Sequence, residues 1–105
     1  MLKTFFPLIL LAAIAMPAFA ADHEISQADK TFSKSEITIK IGDKLIFKND
    51  DEVTHNVYSV TPGIAFDLQR QAPGASSSIS FSKEGTSEVR CSIHPKMKLI
   101  VHVEK

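Results

Sequence analysis

Three side chains that bind soft metal ions lie close together near the C-terminus. Cys91, His94 and Met97 follow one another at intervals of three residues, with Pro95 between the last two. Thiolate and thioether sulfur favour Cu(I), whereas imidazole also accommodates Cu(II). The segment therefore predicts a loop that supplies three ligands to one copper ion.

A fourth ligand should come from a distant part of the chain, so that folding completes the site. His55 is the candidate, because it follows the polar stretch 49–52 and opens a predicted strand. Two imidazoles, one thiolate and a weak axial thioether form the trigonal set that suits electron-transfer copper. The predicted ligands of this single Cu(I)/Cu(II) ion are His55, Cys91, His94 and Met97.

Each ligand type has a simpler role when it stands alone. A lone cysteine is more often a buried apolar side chain, and in an exported chain it can also be a reactive thiol or form an intermolecular disulfide. Met97 could fill the core, His55 could cap a turn, and zinc could occupy the same ligands. The joint spacing of the four residues favours copper.

Other polar residues are assigned no site. His102 points away from the inward residues of the last predicted strand, and the run 50–52 is typical of a solvated turn, since calcium would need further oxygen ligands. His23 is interpreted as a solvated side chain near the mature N-terminus. A surface metal site at His23 stays open, although nothing in the sequence places a partner beside it.

The elements that position the ligands are predicted to be β-strands. Apolar residues recur with period two and no long stretch keeps a helical period. In 36–41 the alternation directs Ile37, Ile39 and Ile41 inward. Seven or so short strands indicate an all-β sandwich or barrel. The further strands are expected at 23–32, 44–48, 54–60, 77–82, 86–91 and 99–104, with 62–78 mostly loop apart from a short strand or turn near 66–70.

The first twenty residues differ in composition from the rest. Lys3 is their only charge, the stretch 5–19 is almost wholly apolar, and the triplet Ala-Phe-Ala at 18–20 fits cleavage before Ala21. An uncleaved membrane anchor is the alternative, which two prolines and the triplet disfavour. We predict a signal peptide at 1–20, one domain at 21–105, a periplasmic location and no membrane span in the mature form.

The charge of the chain argues against nucleic-acid binding, and its size limits the core that it can form. Cleavage would remove Lys3 from a chain with 12 Lys and Arg against 12 Asp and Glu, which leaves a net charge of −1. No polybasic run is present, so nucleic-acid binding is not expected. A domain of this size buries only a little over ~60% of its unfolded surface, and its single cysteine offers no internal disulfide.

The chain resembles the cupredoxins, or blue copper proteins, and most closely their amicyanin, pseudoazurin and plastocyanin-like group. The resemblance covers the chain from about residue 37 onward. It rests on the segment 37–43, the pair His55-Asn56, Gly85-Thr86 and the ligand spacing in 91–97. It implies a Greek-key β-sandwich of about seven or eight strands.

The resemblance also implies roles for single residues. Asn56 is expected to donate its backbone N–H to the sulfur of Cys91 and to tie the two ligand loops with its side chain. His94 is expected to present its ring to solvent as the electron port. Lys96 and Lys98 interrupt the apolar patch that usually surrounds this histidine.

The implied function is that of a monomeric periplasmic one-electron carrier. Its partners would be redox proteins such as a dehydrogenase or a c-type cytochrome, with amine oxidation as one setting. The alternative is copper handling, meaning storage, delivery or sensing without electron transfer. No enzyme is expected, because related oxidases and nitrite reductases need more than one copper centre and 4 His with 1 Cys supply no second cluster.

Overall fold

The strands occupy most of residues 19–105, the part of the chain that this computed structural model describes. The signal-peptide prediction for 1–20 therefore falls almost wholly outside the described residues. Within them, no helix is long and apolar enough to cross a membrane. The strands are β1 (Asp22–Ala28), β2 (Thr31–Phe32), β3 (Glu36–Lys40), β4 (Lys44–Asn49), β5 (His55–Ser59), β6 (Phe66–Gln71), β7 (Ser76–Ser80), β8 (Gly85–Arg90) and β9 (Lys98–Glu104).

These strands form two sheets that pack face to face. One sheet has the order β2-β1-β4-β7 and the other the order β3-β9-β8-β5-β6. The pairs β1–β4 and β3–β9 are parallel, and the other pairs are antiparallel. The chain changes sheet after β2, β3, β4, β6 and β7, as in a sandwich with crossover connections. The predicted all-β sandwich is confirmed.

Alternate residues of both sheets fill the space between them. The alternation is clearest in β4 and β9, where four residues have no exposed surface: Leu45, Phe47, Leu99 and Val101. The ring of Phe32 packs edge-on against Phe47, with centroids 6.0 Å apart. Burial of one large apolar side chain contributes about 1.5–3 kcal/mol, so these inner faces supply the main stabilisation of the sandwich.

The prediction that Ile41 points into the core is wrong. Ile37 and Ile39 are 8% and 2% exposed, as predicted, but Ile41 is 39% exposed. β3 ends at Lys40, and Gly42 with a φ of 93° turns the chain toward β4. Because the turn begins at Ile41, the period-two alternation does not extend to this residue.

The segment predicted as one strand at 23–32 is a hairpin of β1 and β2. Asp29 and Lys30 both have positive φ, 51° and 58°, which is the backbone of a type I′ turn. Within 62–78, the short strand or turn predicted near 66–70 is the six-residue strand β6, which pairs with β5 across an irregular register.

Both ligand-bearing segments lie at one end of the five-stranded sheet. β5 and β8 pair antiparallel at Tyr58 and Arg90, so His55 at the start of β5 lies beside the loop that follows β8. That loop, 91–97, leads into β9, which is the other neighbour of β8. The fold thus brings His55 next to a loop more than thirty residues later in the chain.

Candidate metal centre

Three of the four predicted ligands converge at this end of the sandwich. One donor atom from each of His55, Cys91 and His94 lies within 4.8 Å of the others, close enough to hold one metal ion. His55 and Cys91 are fully buried, whereas His94 is half-buried. The cluster combines two donors fixed in the interior with one at the surface.

A carboxylate behind His55 orients its imidazole. Nε2 of His55 lies 2.9 Å from Oδ2 of Asp51, and the same oxygen accepts the backbone N–H of Lys30 at 2.8 Å. The hydrogen bond from His55, and then that from Lys30, lower the pKa of Asp51 from 3.8 to about 2. An ionised carboxylate can only accept, so Nε2 of His55 carries the hydrogen and Nδ1 keeps its lone pair.

The unprotonated Nδ1 of His55 faces the other two donors. It lies 3.7 Å from Sγ of Cys91 and 3.0 Å from Nδ1 of His94. Nitrogen and sulfur ligands that bind one ion at ~2.0 and ~2.3 Å are themselves about 3 to 4 Å apart. The spacing therefore fits a single shared metal ion, and the mixture of thiolate and imidazole donors suits copper.

Asn56 ties the two ligand segments together. Its backbone N–H lies 3.4 Å from Sγ of Cys91. Its side chain donates Nδ2–H to Oγ of Ser92 at 2.7 Å and accepts the backbone N–H of Ser92 at 2.7 Å. Both contacts implied by the cupredoxin resemblance are confirmed. An N–H directed at the sulfur stabilises the thiolate, and such bonds around a ligand tune the metal that it holds.

Met97 lies at the base of the ligand loop. Its side chain is 1% exposed, and its backbone N–H donates to the carbonyl of His94 at 2.9 Å, which closes a tight turn over 94–97. This turn directs His94 outward and Met97 inward. The assignment of Met97 as the fourth ligand stays a prediction.

The ring of His94 borders a surface groove of about 450 Å³. The groove lies between the β1–β2 hairpin at residues 29–31 and residues 93–96 of the ligand loop. Ile93 in its wall is 43% exposed. The surface ligand is therefore accessible to a partner molecule, whereas the buried His55 is not.

Asp51 is the residue of the site that sequence reasoning missed. The run 50–52 was expected to be a solvated turn, but the side chain of Asp51 is only 12% exposed and contacts His55. Asn49 folds this turn inward, because its Nδ2 donates to the carbonyls of Val53 and Gln71, each at 2.9 Å. A carboxylate four residues before a candidate ligand histidine is the signal that could have identified it.

The two histidines outside the cluster also have partners. His23 lies 2.9 Å from Asp43, and His102 contacts Glu36. The outward direction predicted for His102 is confirmed, because its side chain is 36% exposed. The prediction that His23 is solvated is wrong, because its side chain is 29% exposed and lies against the nearly buried carboxylate of Asp43. The carboxylates come from neighbouring strands and turns, which sequence position does not reveal.

Comparison with known proteins agrees with this geometry. Residues 19–104 match the family model for copper binding proteins of the plastocyanin/azurin family. Amicyanin-alpha of Methylorubrum extorquens is 32% identical over 101 residues, covering 90% of this chain and 85% of that protein. The methylamine utilization protein MauL of the same organism is 28% identical over 90 residues, covering 85% and 79%. A solved structure of a reduced amicyanin mutant superposes with a TM-score of 0.73 at 26% identity, over 78% of this chain and 81% of that chain.

A β-sandwich that carries a His-Cys-His cluster at one end is the arrangement that the resemblance to cupredoxins implies. The match extends over nearly all described residues, so it includes both ligand segments. The chain belongs to the plastocyanin/azurin family of copper-binding proteins.

Proposed function

We propose that the protein is a type 1 copper protein that carries single electrons, with His55, Cys91 and His94 as ligands and Met97 as the axial ligand. One observation carries the proposal: two buried donors share a cluster with His94, whose ring borders a surface groove. Buried donors held by hydrogen bonds keep their positions when the metal changes oxidation state. A ligand at the surface shortens the path of the electron to a partner.

Copper handling is the second candidate function. The groove beside His94 favours it, because an acceptor could reach the metal through this ligand. The link through Asn56 favours the carrier, because it holds both ligand segments closed over the ion. A carrier should exchange copper slowly and show a reversible redox couple, whereas a copper donor should release its ion readily to an acceptor.

We infer that the site is not catalytic. Among residues 19–105, the His, Cys, Asp and Glu side chains form one group of three or more that is able to hold a metal ion. An oxidase or reductase of related fold would need a second such group beside it to bind its substrate. The arrangement therefore favours electron transfer alone.

The proposed location of the protein in the cell depends on its N-terminal segment. We propose that 1–20 is a cleaved signal peptide and that 21–105 is the mature domain, working as a monomer in the periplasm. In support, the nine strands found within residues 19–105 all begin after Ala21, so cleavage there leaves each of them intact. The partners would be a dehydrogenase or a c-type cytochrome, with amine oxidation as one setting, in line with the similarity to a methylamine utilization protein.

The charged residues around His94 indicate which charge a redox partner should present to the groove. Lys30 and Lys96 line the groove, against one carboxylate, Asp29. Complementary charge raises the rate of encounter and is screened by salt. A partner with acidic side chains around its redox centre should therefore react more slowly as ionic strength rises, and the Lys96→Gln variant should show a weaker dependence on salt.

An absorption spectrum of the oxidised, copper-loaded protein tests the proposal. We expect the intense visible charge-transfer band of a copper thiolate, a reversible couple in voltammetry and slow loss of copper to a chelator. Cys91→Ser should remain folded without the band, while Ser82→Ala, at an exposed position outside the ligand segments, serves as the control that keeps it. A colourless wild-type protein would refute a type 1 site, and a blue protein that hands its copper rapidly to a chelator would favour copper handling.

A further inference from the structure

A second cluster of nitrogen and oxygen atoms lies at the start of β1. The backbone nitrogen of Ala21 is 2.9 Å from Oδ1 of Asp43. Nε2 of His23 is 2.9 Å from Oδ2 of the same carboxylate. One side chain therefore holds the nitrogen of residue 21 and the imidazole of residue 23 close together.

Asp43 is a fixed anion in the turn between β3 and β4. Its side chain is 7% exposed, and Oδ2 also accepts the backbone N–H of Lys40 at 3.0 Å. The backbone bonds from Ala21 and Lys40, with a smaller effect from His23, lower the pKa of Asp43 from 3.8 to about 2. The carboxylate is therefore ionised at neutral pH and acts as an acceptor for both nitrogens.

We propose that cleavage before Ala21 creates a second metal site, which binds Cu(II) or Ni(II) through the new amino group of Ala21 and the imidazole of His23. The inference rests on the proposed signal peptide. It does not depend on the electron-transfer role of the His55 cluster. The mature chain would begin Ala21-Asp22-His23, with a free amine at the first residue and an imidazole at the third.

This spacing lets four nitrogen atoms surround one ion. They are the amine of Ala21, the backbone nitrogens of Asp22 and His23, and Nδ1 of His23. The two backbone N–H groups release their protons to solvent when they bind, as does any proton on the amine or imidazole. A planar set of nitrogen ligands is the arrangement typical of Cu(II) and Ni(II).

Cleavage is what makes the first ligand available. In the uncleaved chain, the nitrogen of Ala21 belongs to a peptide bond, where its lone pair is delocalised into the carbonyl group. After cleavage it is an amine, whose pKa ordinarily lies at ~7.7–8.0, so a substantial fraction can lose its proton near neutral pH. The site should therefore exist only in the processed protein.

Asp43 prepares His23 to act as a ligand. Because the ionised carboxylate only accepts, Nε2 of His23 carries the hydrogen and Nδ1 is left for the metal. A ligand histidine that donates its other N–H to a carboxylate is a recurrent arrangement in metal sites. A metal-bound amine keeps its N–H groups, so Oδ1 of Asp43 can also continue to accept from Ala21.

Binding requires the first residues of β1 to leave the extended conformation. Asp22 and His23 form the first two register pairs with β4, ahead of the fully buried Ile25. Strand ends open at a small cost in free energy compared with the core. The N-terminus can therefore wrap around an ion while the rest of β1 stays in the sheet.

The proposed site is remote from the copper cluster. β4 begins at Lys44 beside it and ends at Asn49, which holds the turn before His55. Five steps along a strand span about 16 Å at ~3.3 Å per residue. The site also lacks a thiolate, so copper bound there should add no intense visible band.

The test begins with the full-length chain exported to the periplasm and with a mass spectrum of its mature N-terminus. The His55 cluster is loaded with copper first, and Cu(II) chloride is then titrated while bound copper is counted and the electron paramagnetic resonance spectrum recorded. We expect a mature chain that begins at Ala21. We also expect a second equivalent of copper with a spectrum of nitrogen ligands and an unchanged blue band.

Two variants and one control make the test specific. His23→Gln, and insertion of one glycine after Ala21, should each lose the second equivalent while keeping the first. His102→Gln removes the other histidine outside the copper cluster and should keep both. Retention of the second equivalent in either test variant, or a mature chain that begins elsewhere, would overturn the site. A second equivalent bound to a protein that never turns blue would support this site and refute the type 1 centre.

Discussion

Replacement of Asn56 by Ala should loosen the join between β5 and the ligand loop. The variant loses both side-chain hydrogen bonds to Ser92, each 2.7 Å long. One neutral hydrogen bond contributes about 1 kcal/mol net, so we expect the free energy of unfolding of the copper-free protein to fall by about 2 kcal/mol. In a domain of this size each kcal/mol lowers the Tm by roughly 4–8 °C, which gives a decrease of roughly 8–16 °C.

Ser92→Ala is the matched variant, because it removes only the hydroxyl that accepts from Asn56. The backbone N–H of Ser92 can still donate to Oδ1 of Asn56. We therefore expect about half of the loss, roughly 1 kcal/mol. The double variant should be no less stable than Asn56→Ala alone, since the hydroxyl has no partner left to lose.

Urea unfolding of the copper-free proteins, followed by circular dichroism, measures these differences. Copper-loaded Asn56→Ala should also lose its metal to a chelator faster than wild type, with Ser92→Ala between them. Equal decreases in the free energy of unfolding of the two single variants would refute the assignment of two separate hydrogen bonds to the side chain of Asn56. An unchanged rate of copper loss would show that the join does not hold the ligand loop closed.

Three further substitutions test other parts of the molecule. Met97→Leu should keep copper bound and raise the reduction potential, because a weak donor to Cu(II) is removed; an unchanged potential would mean that Met97 is not axial. Asp51→Asn should also raise the potential, since it removes a negative charge behind His55 that favours Cu(II), whereas the exposed Glu52→Gln should change it less. Asp43 has a folded pKa of about 2 against 3.8 ordinarily, so its stabilisation is complete above pH 3.8 and lost as pH falls toward 2. Asp43→Asn should therefore be less stable at neutral pH and lose less stability than wild type over that acid range, as measured by denaturant unfolding.

Local patterns were enough to predict the strands with clean alternation and the ligand loop. In β3 and β9 a period of two places Ile39, Leu99 and Val101 inward without knowledge of what they pack against. The spacing of Cys91 and His94 is likewise a property of one short segment. Ile41 marks the limit of this reasoning, because the alternation is cut short by a turn whose backbone bends one residue earlier than the pattern suggests.

Tertiary structure alone decided which polar groups meet. Asp51 lies in a polar turn between β4 and β5 whose composition is typical of solvated turns. It nevertheless accepts a hydrogen bond from Nε2 of His55, because Asn49 folds that turn inward. Asp43 likewise joins the start of β1 only because β1 and β4 pair in parallel. The sequence by itself determined the donor types and the all-β class, and it predicts an export signal at 1–20. Which carboxylate orients which histidine depends on distances between segments far apart in the chain, and those distances exist only after the two sheets have packed.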